Sequence, residues 1–219
     1  MAEEQFVRSS KAGKPEAAGS SSKAKAKAFP PNPEPLPLPV YDNHCHLEFE
    51  FDDDLGVMPW RENLDRAVSV GVRGIVQVGV TLESSKWCAQ VATEDSRILA
   101  AVALHPNEAP LYKTQSALDQ AIAEIAALAA QPRVRAIGET GLDFFRTEGQ
   151  EEILLQRHSF EEHIRIAKEN NLALMIHDRD AHEDVVETLK RVGAPDKVVF
   201  HCYSGDTDLA EICIENGWY

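Results

Sequence analysis

An α/β fold is predicted by three features of the sequence. Six apolar, β-rich segments alternate with helical patterns from residue 40 onward. The segments are near-continuous apolar runs, as expected of parallel strands covered on both faces. Potential metal ligands stand at the ends of four of them: His44 and His46, Glu139, His177, and His201. In a (β/α)8 barrel, functional groups gather at the C-terminal ends of several strands and face one mouth. No G-x-G-x-x-G follows the first strand, so a dinucleotide-binding open sheet loses ground. The predicted architecture is a TIM (β/α)8 barrel of which about the first six β-α units are present.

Taken in order, residues 1–39 read as a low-complexity, disordered tail. Gly19-Ser20-Ser21-Ser22, the Lys-Ala alternation at 23–28 and the Pro-rich 30–39 offer no apolar periodicity with which to bury a core. Strands are expected at 40–46, 73–80, 98–104, 134–138, 172–177 and 197–202. Helices are expected near 61–70, 82–94, 151–170, 181–192 and 207–216. The clearest helical stripe is Leu118, Ile122, Ile125 and Ala129, spaced i, i+4, i+7 and i+11. Asp206 is the expected N-cap of the last helix and Asn216-Gly217 its C-terminal signal. A complete barrel usually needs roughly 250 residues. With 40–219 to build it, the sequence is expected to be the N-terminal part of a longer protein.

Charge narrows the partners. The chain holds 22 Lys+Arg against 36 Asp+Glu, a net of −14; the tail carries six basic and four acidic residues, leaving 16 against 32 in residues 40–219. Such a domain lacks the broad basic face of a protein that lies along duplex DNA. A phosphate substrate is still accessible if metal ions supply local positive charge. No run of about 18 apolar residues is present, so no membrane-spanning helix is expected. The four cysteines show no C-x-x-C spacing, which fits a reducing cytoplasm. Cys45 and Cys202 flank histidines and are expected to be small packing residues. No obligate protein partner is inferred.

The chemistry sits in His44-Cys45-His46. On a strand, alternate side chains share a face, so both imidazoles can grip one ion. Glu139 follows an apolar run between glycines, and its two oxygens can each bind a cation. His177 and His201 follow Leu174-Met175-Ile176 and Val198-Val199-Phe200. Two divalent ions in such a site (Mg, Mn or Zn) would generate hydroxide and neutralise both the attacking and leaving oxygens of a phosphodiester. Asp143 is a candidate to orient a ligand, whereas His158, His163 and His182 read as surface or packing residues. Trp60, Trp87 and Trp218 read as core anchors.

These segments resemble the TatD-like deoxyribonucleases, metal-dependent hydrolases of the amidohydrolase-like barrels. The matching motifs are His44-Cys45-His46-Leu47, Leu104-His105-Pro106, Gly138-Glu139-Thr140-Gly141-Leu142-Asp143, Ile176-His177-Asp178-Arg179 with Asp180-Ala181-His182, and Phe200-His201-Cys202-Tyr203-Ser204-Gly205. The resemblance implies that His44 and His46 hold one metal, Glu139 bridges, and His177 and His201 hold the second. It also implies that His105 lies by the substrate phosphate, with Glu139 and His105 in the catalytic set and Arg179 in a substrate-binding motif. The family's further Asp ligand, in a Thr-Asp motif, has no counterpart among these residues. The expected function is metal-dependent phosphodiester hydrolysis with DNA as substrate. The alternatives are a barrel amidohydrolase acting on a small cyclic amide or ester, and an inactive fragment.

Overall fold

The computed structural model describes residues 8–9, 29–50 and 57–219. Most of the expected tail, residues 1–7 and 10–28, lies outside the described residues, as does 51–56. The chain forms two compact units, Met1–Ile75 and Val76–Tyr219. Among the described residues six strands and six α-helices alternate, together with one 3-10 helix and a pair of two-residue strands. Among the described residues no helix is long and apolar enough to cross a membrane.

In the first unit, strand β1 (Val40–Cys45) ends at the histidine motif. Helix α1 (Trp60–Ser69) starts after Pro59 and buries Trp60 and Leu64. Proline suits that position because a helix's first N–H groups have no intrahelical partner. The Pro-rich segment before β1 lies along this helix. The Leu36 N–H donates to Val70 O (2.8 Å), and Arg66 Nε donates to Asn32 Oδ1 (2.7 Å). Gly71 follows at φ +105°, where a Cβ would crowd Leu36 at 3.2 Å. The Val40 N–H then donates to Gly71 O (3.0 Å), which ties the start of β1 to the helix exit. Arg8–Ser9 pairs in parallel with Phe49–Glu50.

Strand β2 (Val72–Val78) carries the chain into the second unit. There the strand order is β2, β3 (Ile98–Val102), β4 (Val134–Asp143), β5 (Ala173–Arg179) and β6 (Val198–Phe200). The β3/β4, β4/β5 and β5/β6 pairs are parallel. Val78, Ala101, Ala136 and Met175, one from each of four neighbouring strands, pack as a single buried layer. Helices α2 (Leu82–Glu94), α3 (Gln115–Ala129), α4 (Gln150–Asn170) and α5 (His182–Val192) connect successive strands and pack against them, and α6 (Thr207–Asn216) follows β6.

Local chemistry sets the helix ends. Thr81 and Ser84 form a reciprocal capping box on α2, and Thr114 caps α3. Asp206 accepts the Leu209 N–H at the start of α6, and Gly217 closes it at φ +69°. The predicted stripe Leu118, Ile122, Ile125 and Ala129 is buried on α3. Each of its three large side chains contributes about 1.5–3 kcal/mol by leaving water.

Two expectations are corrected. Strand β4 does not stop at 138 but runs on to Asp143, so Glu139 lies inside it. Between Ile137 and Thr140 the register with β5 slips. Glycines make this possible: a Cβ on Gly138 would lie 2.5 Å from Met175 Cβ, and one on Gly141 only 2.0 Å from His177 O. Backbone approaches this close admit only glycine. Cys202 is exposed rather than packed, because β6 ends at Phe200 and Cys202 falls in a turn at φ +46°.

Candidate metal centre

The first unit supplies two imidazoles. His44 and His46 meet edge to face, with ring centroids 5.1 Å apart and Nε2 atoms 3.3 Å apart. Asp42 Oδ1 accepts the His44 N–H (3.0 Å), and buried Glu48 Oε1 lies 3.8 Å from His46 Nδ1. Cys45, between them, is no ready thiolate: burial pushes its pKa up, and the charges of Asp42 and Glu48 push it further.

The second unit builds a denser cluster. Glu139 Oε1 lies 2.7 Å from His177 Nδ1 and 2.7 Å from His201 Nε2. His105 Nε2 is 3.1 Å from His177 Nδ1 and 3.6 Å from Glu139 Oε1. Strand ends place all four: Glu139 within β4, His177 on β5, His105 just beyond β3 and His201 in the turn after β6. The His201 N–H donates to Ile176 O (3.2 Å), and the His105 N–H to Val80 O (2.8 Å), so both turns are anchored to the sheet.

A supporting network orients this cluster. Asp143 Oδ2 faces His177 Nε2 (3.1 Å) and accepts from Asn107 Nδ2 (2.9 Å); Asp143 Oδ1 accepts the Arg146 N–H (2.9 Å). A carboxylate can only accept, so in the metal-free site Asp143 takes the Nε2–H of His177 and Glu139 its Nδ1–H, and a bound ion would take the place of the Nδ1 proton. Likewise the Asn107 N–H donates to His105 Nδ1 (3.1 Å), which puts the proton of neutral His105 on Nε2. Gln156, on α4, accepts the Asp143 N–H (3.0 Å) and donates to Thr147 Oγ1 (2.8 Å).

Electrostatics separates the two rings. Burial lowers the His105 pKa, and the Glu139 carboxylate does not overcome it. For His177 burial acts the same way, but Glu139 and Asp143 together outweigh it and hold the imidazole above its ordinary value. Burial would raise Asp143, yet the Asn107, Arg146 and His177 donors hold it below the usual carboxylate range. His105, Glu139 and His177 place one donor atom each within 4.8 Å of one another. Imidazole nitrogens converging on a carboxylate are the donor set of Zn²⁺ and related divalent ions. The residues therefore fit a cation.

Of the other predicted residues, Arg179 lies outside this cluster. It is exposed at the end of β5, with its guanidinium carbon 3.9 Å from the centre of the Phe145 ring. His158 pairs with Asp119 and His182 with Asp178, each at 2.6–2.7 Å. Trp60 and Trp218 are buried, while Trp87 is half-buried. Asn107 and Gln156 were not singled out from the sequence. Gln156 did carry a signal: with Phe160, His163 and Ala167 it lies on one helical stripe, and a polar residue on such a stripe requires a buried partner.

Relatives bear on this geometry. The family model described as TatD related DNase matches residues 41–219. A Mycobacterium tuberculosis protein named as a metal-dependent hydrolase TatD is 43% identical over 161 residues, 72% of this chain and 59% of that protein. The Escherichia coli K12 protein named 3'-5' ssDNA/RNA exonuclease TatD is 35% identical over 158 residues, covering 70% of this chain and 56% of that one. The chain thus spans less than two thirds of these relatives. A solved TatD homologue from E. coli K12 superposes with a TM-score of 0.69 at 28% identity, over 81% of this chain and 65% of that one. A Saccharomyces cerevisiae amidohydrolase structure shares the fold, with a TM-score of 0.68 at 18% identity, over 82% of this chain and 66% of that one. This α/β chain, six β-α units with a histidine and carboxylate cluster at its strand ends, belongs to the TatD-related DNase family of metal-dependent hydrolases.

Proposed function

We propose that the chain carries the metal-binding residues of a nuclease that hydrolyses phosphodiester bonds in single-stranded nucleic acid, DNA above all. The observation that carries this reading is Glu139 Oε1 standing 2.7 Å from both His177 Nδ1 and His201 Nε2. The names of the exonuclease relatives supply the substrate class. Glu139, His177 and His201 are the proposed ligands in the second unit, and His44 and His46 are proposed as two more from the first. A divalent ion held by these residues would supply a hydroxide at neutral pH and neutralise charge on phosphate oxygens.

The chain's own groups do the positioning. Asp143 fixes the tautomer and orientation of His177. His105, neutral and with its proton on Nε2, donates a hydrogen bond to a phosphate oxygen. Arg179 offers a planar fork for a second phosphate. No protein nucleophile is required. We place the protein in a reducing compartment such as the cytoplasm.

The test is cleavage of end-labelled single-stranded DNA and RNA, beside a panel of cyclic amides and esters, before and after EDTA and with Mn²⁺ or Zn²⁺ added back. Cleavage of the nucleic acids that is lost with EDTA and restored by the ion supports the reading. Turnover of an amide or ester with none of the oligonucleotides would replace it with the amidohydrolase reading.

A further inference from the structure

Resting on the nuclease reading above, we propose that Phe145 and Arg179 form a stacking shelf for a nucleobase of the bound single strand. Both residues stand at the same end of the ligand-bearing strands, Arg179 as the last residue of β5 and Phe145 just beyond β4. Asp143 and Arg179 are register partners on β4 and β5, and Phe145 comes two residues after Asp143. Arg179 is two residues beyond His177, on the same face of β5 by strand alternation and roughly 7 Å along it.

Phe145 is 56% exposed, whereas the adjacent Phe144 is half-buried with the Arg157 guanidinium 5.8 Å from its ring centre. With more than half of its surface exposed, this phenyl gains little from burial. Its turn is fixed on both sides. Phe144 N–H donates to Arg179 O (3.0 Å), Arg146 N–H to Asp143 Oδ1 (2.9 Å), and Asp143 N–H to Gln156 Oε1 (3.0 Å). The shelf is therefore ordered before a ligand arrives, which cuts the cost of binding.

Arg179 strengthens the case. Among the described residues no carboxylate pairs with it, in a chain of net charge −14; its contact is the Phe145 ring at 3.9 Å. A guanidinium against one side of a phenyl leaves the remaining aromatic surface open, and its N–H groups free for phosphate. Flat π surfaces with adjoining positive charge are how single strands are held without sequence preference.

The test is binding, measured by fluorescence anisotropy in the presence of EDTA, so that cleavage plays no part. The probes are a labelled ten-nucleotide oligothymidylate and the same strand with abasic sites at its 3' end. The wild-type chain should bind the intact strand about tenfold more tightly than the abasic one, a typical effect of one stacked base. Phe145→Ala should abolish that preference, and Phe145→Trp should keep it. Mn²⁺ affinity of both variants should match the wild type, showing that the site still folds. Phe145→Ala retaining the full preference, or Phe145→Trp losing it, would overturn the shelf. A wild-type chain that binds both strands equally would overturn the shelf and spare the nuclease reading. One that binds neither would overturn the shelf, while the nuclease reading stands or falls on the cleavage assay with the ion restored.

Discussion

His163 and His177 are the same residue type in one compact unit, and they are held in opposite ways. His163, fully buried on α4, stands between groups that each allow one role only. Its Nδ1–H donates to Ser159 O (2.6 Å), and its Nε2 accepts the Leu104 N–H (3.0 Å). A carbonyl cannot donate and an amide N–H cannot accept, so the ring is a neutral bolt between α4 and the end of β3. Burial drives its pKa down to about 4. His177 stands instead between two carboxylates, Glu139 and Asp143, which hold it up. What surrounds an imidazole, and not its presence in a strand or helix, decides whether it builds the fold or the site.

The largest effect should come from breaking the carboxylate side. Glu139→Gln removes the charge on which His177 and His201 converge. Divalent-ion affinity should fall by more than about 100-fold, beyond the 10–100-fold typical of supporting partners. Isothermal titration with Mn²⁺ or Zn²⁺ checks this.

Next in size is the bolt. His163→Ala opens a cavity and leaves the Leu104 N–H unpaired, costing about 2–4 kcal/mol in urea denaturation. If His163 only braces the fold, ion affinity should change by less than about threefold, a shift of roughly 0.6 kcal/mol. The same residue gives a pH signature. Unfolded, it titrates near 6.5; folded, near 4. Above 6.5 its contribution is fully present. Between 6.5 and 4 the unfolded chain takes up the proton first, so stability falls on acidification, by up to about 3 kcal/mol. His163→Gln should flatten that limb. In the metal-free protein His177 has the opposite sign. Its stabilisation is present below 6.5 and lost as pH rises through its raised folded value.

A smaller effect tests the support. Asp143→Asn should weaken ion binding by about 10–100-fold and lower the His177 pKa, read from histidine NMR titration. An unchanged His177 pKa would contradict the orientation argued above.

Much of this was legible in the sequence, and the limits have a physical cause. Apolar runs and helical spacing located the six β-α units, because periodicity is a local property. His44, His46, Glu139, His177 and His201 could be singled out because each lies at or near the end of an apolar run. The end of β4 could not, since its continuation to Asp143 depends on Gly138 and Gly141 letting β5 approach. The bond between His163 and Leu104 spans 59 residues, and that between Gln156 and Asp143 joins a helix to a strand. The stack of Arg179 on Phe145 likewise needs the register of β4 and β5. Contacts of this kind have no spacing to read.

The most direct measurement is a nitrogen-15 histidine NMR titration of EDTA-treated protein with Zn²⁺. The account predicts that His177 and His201 resonances shift in step with the ion, that His163 keeps its neutral Nδ1–H signature throughout, and that Glu139→Gln abolishes the shifts. His177 and His201 unmoved at saturating Zn²⁺, or shifts that persist in Glu139→Gln, would contradict it.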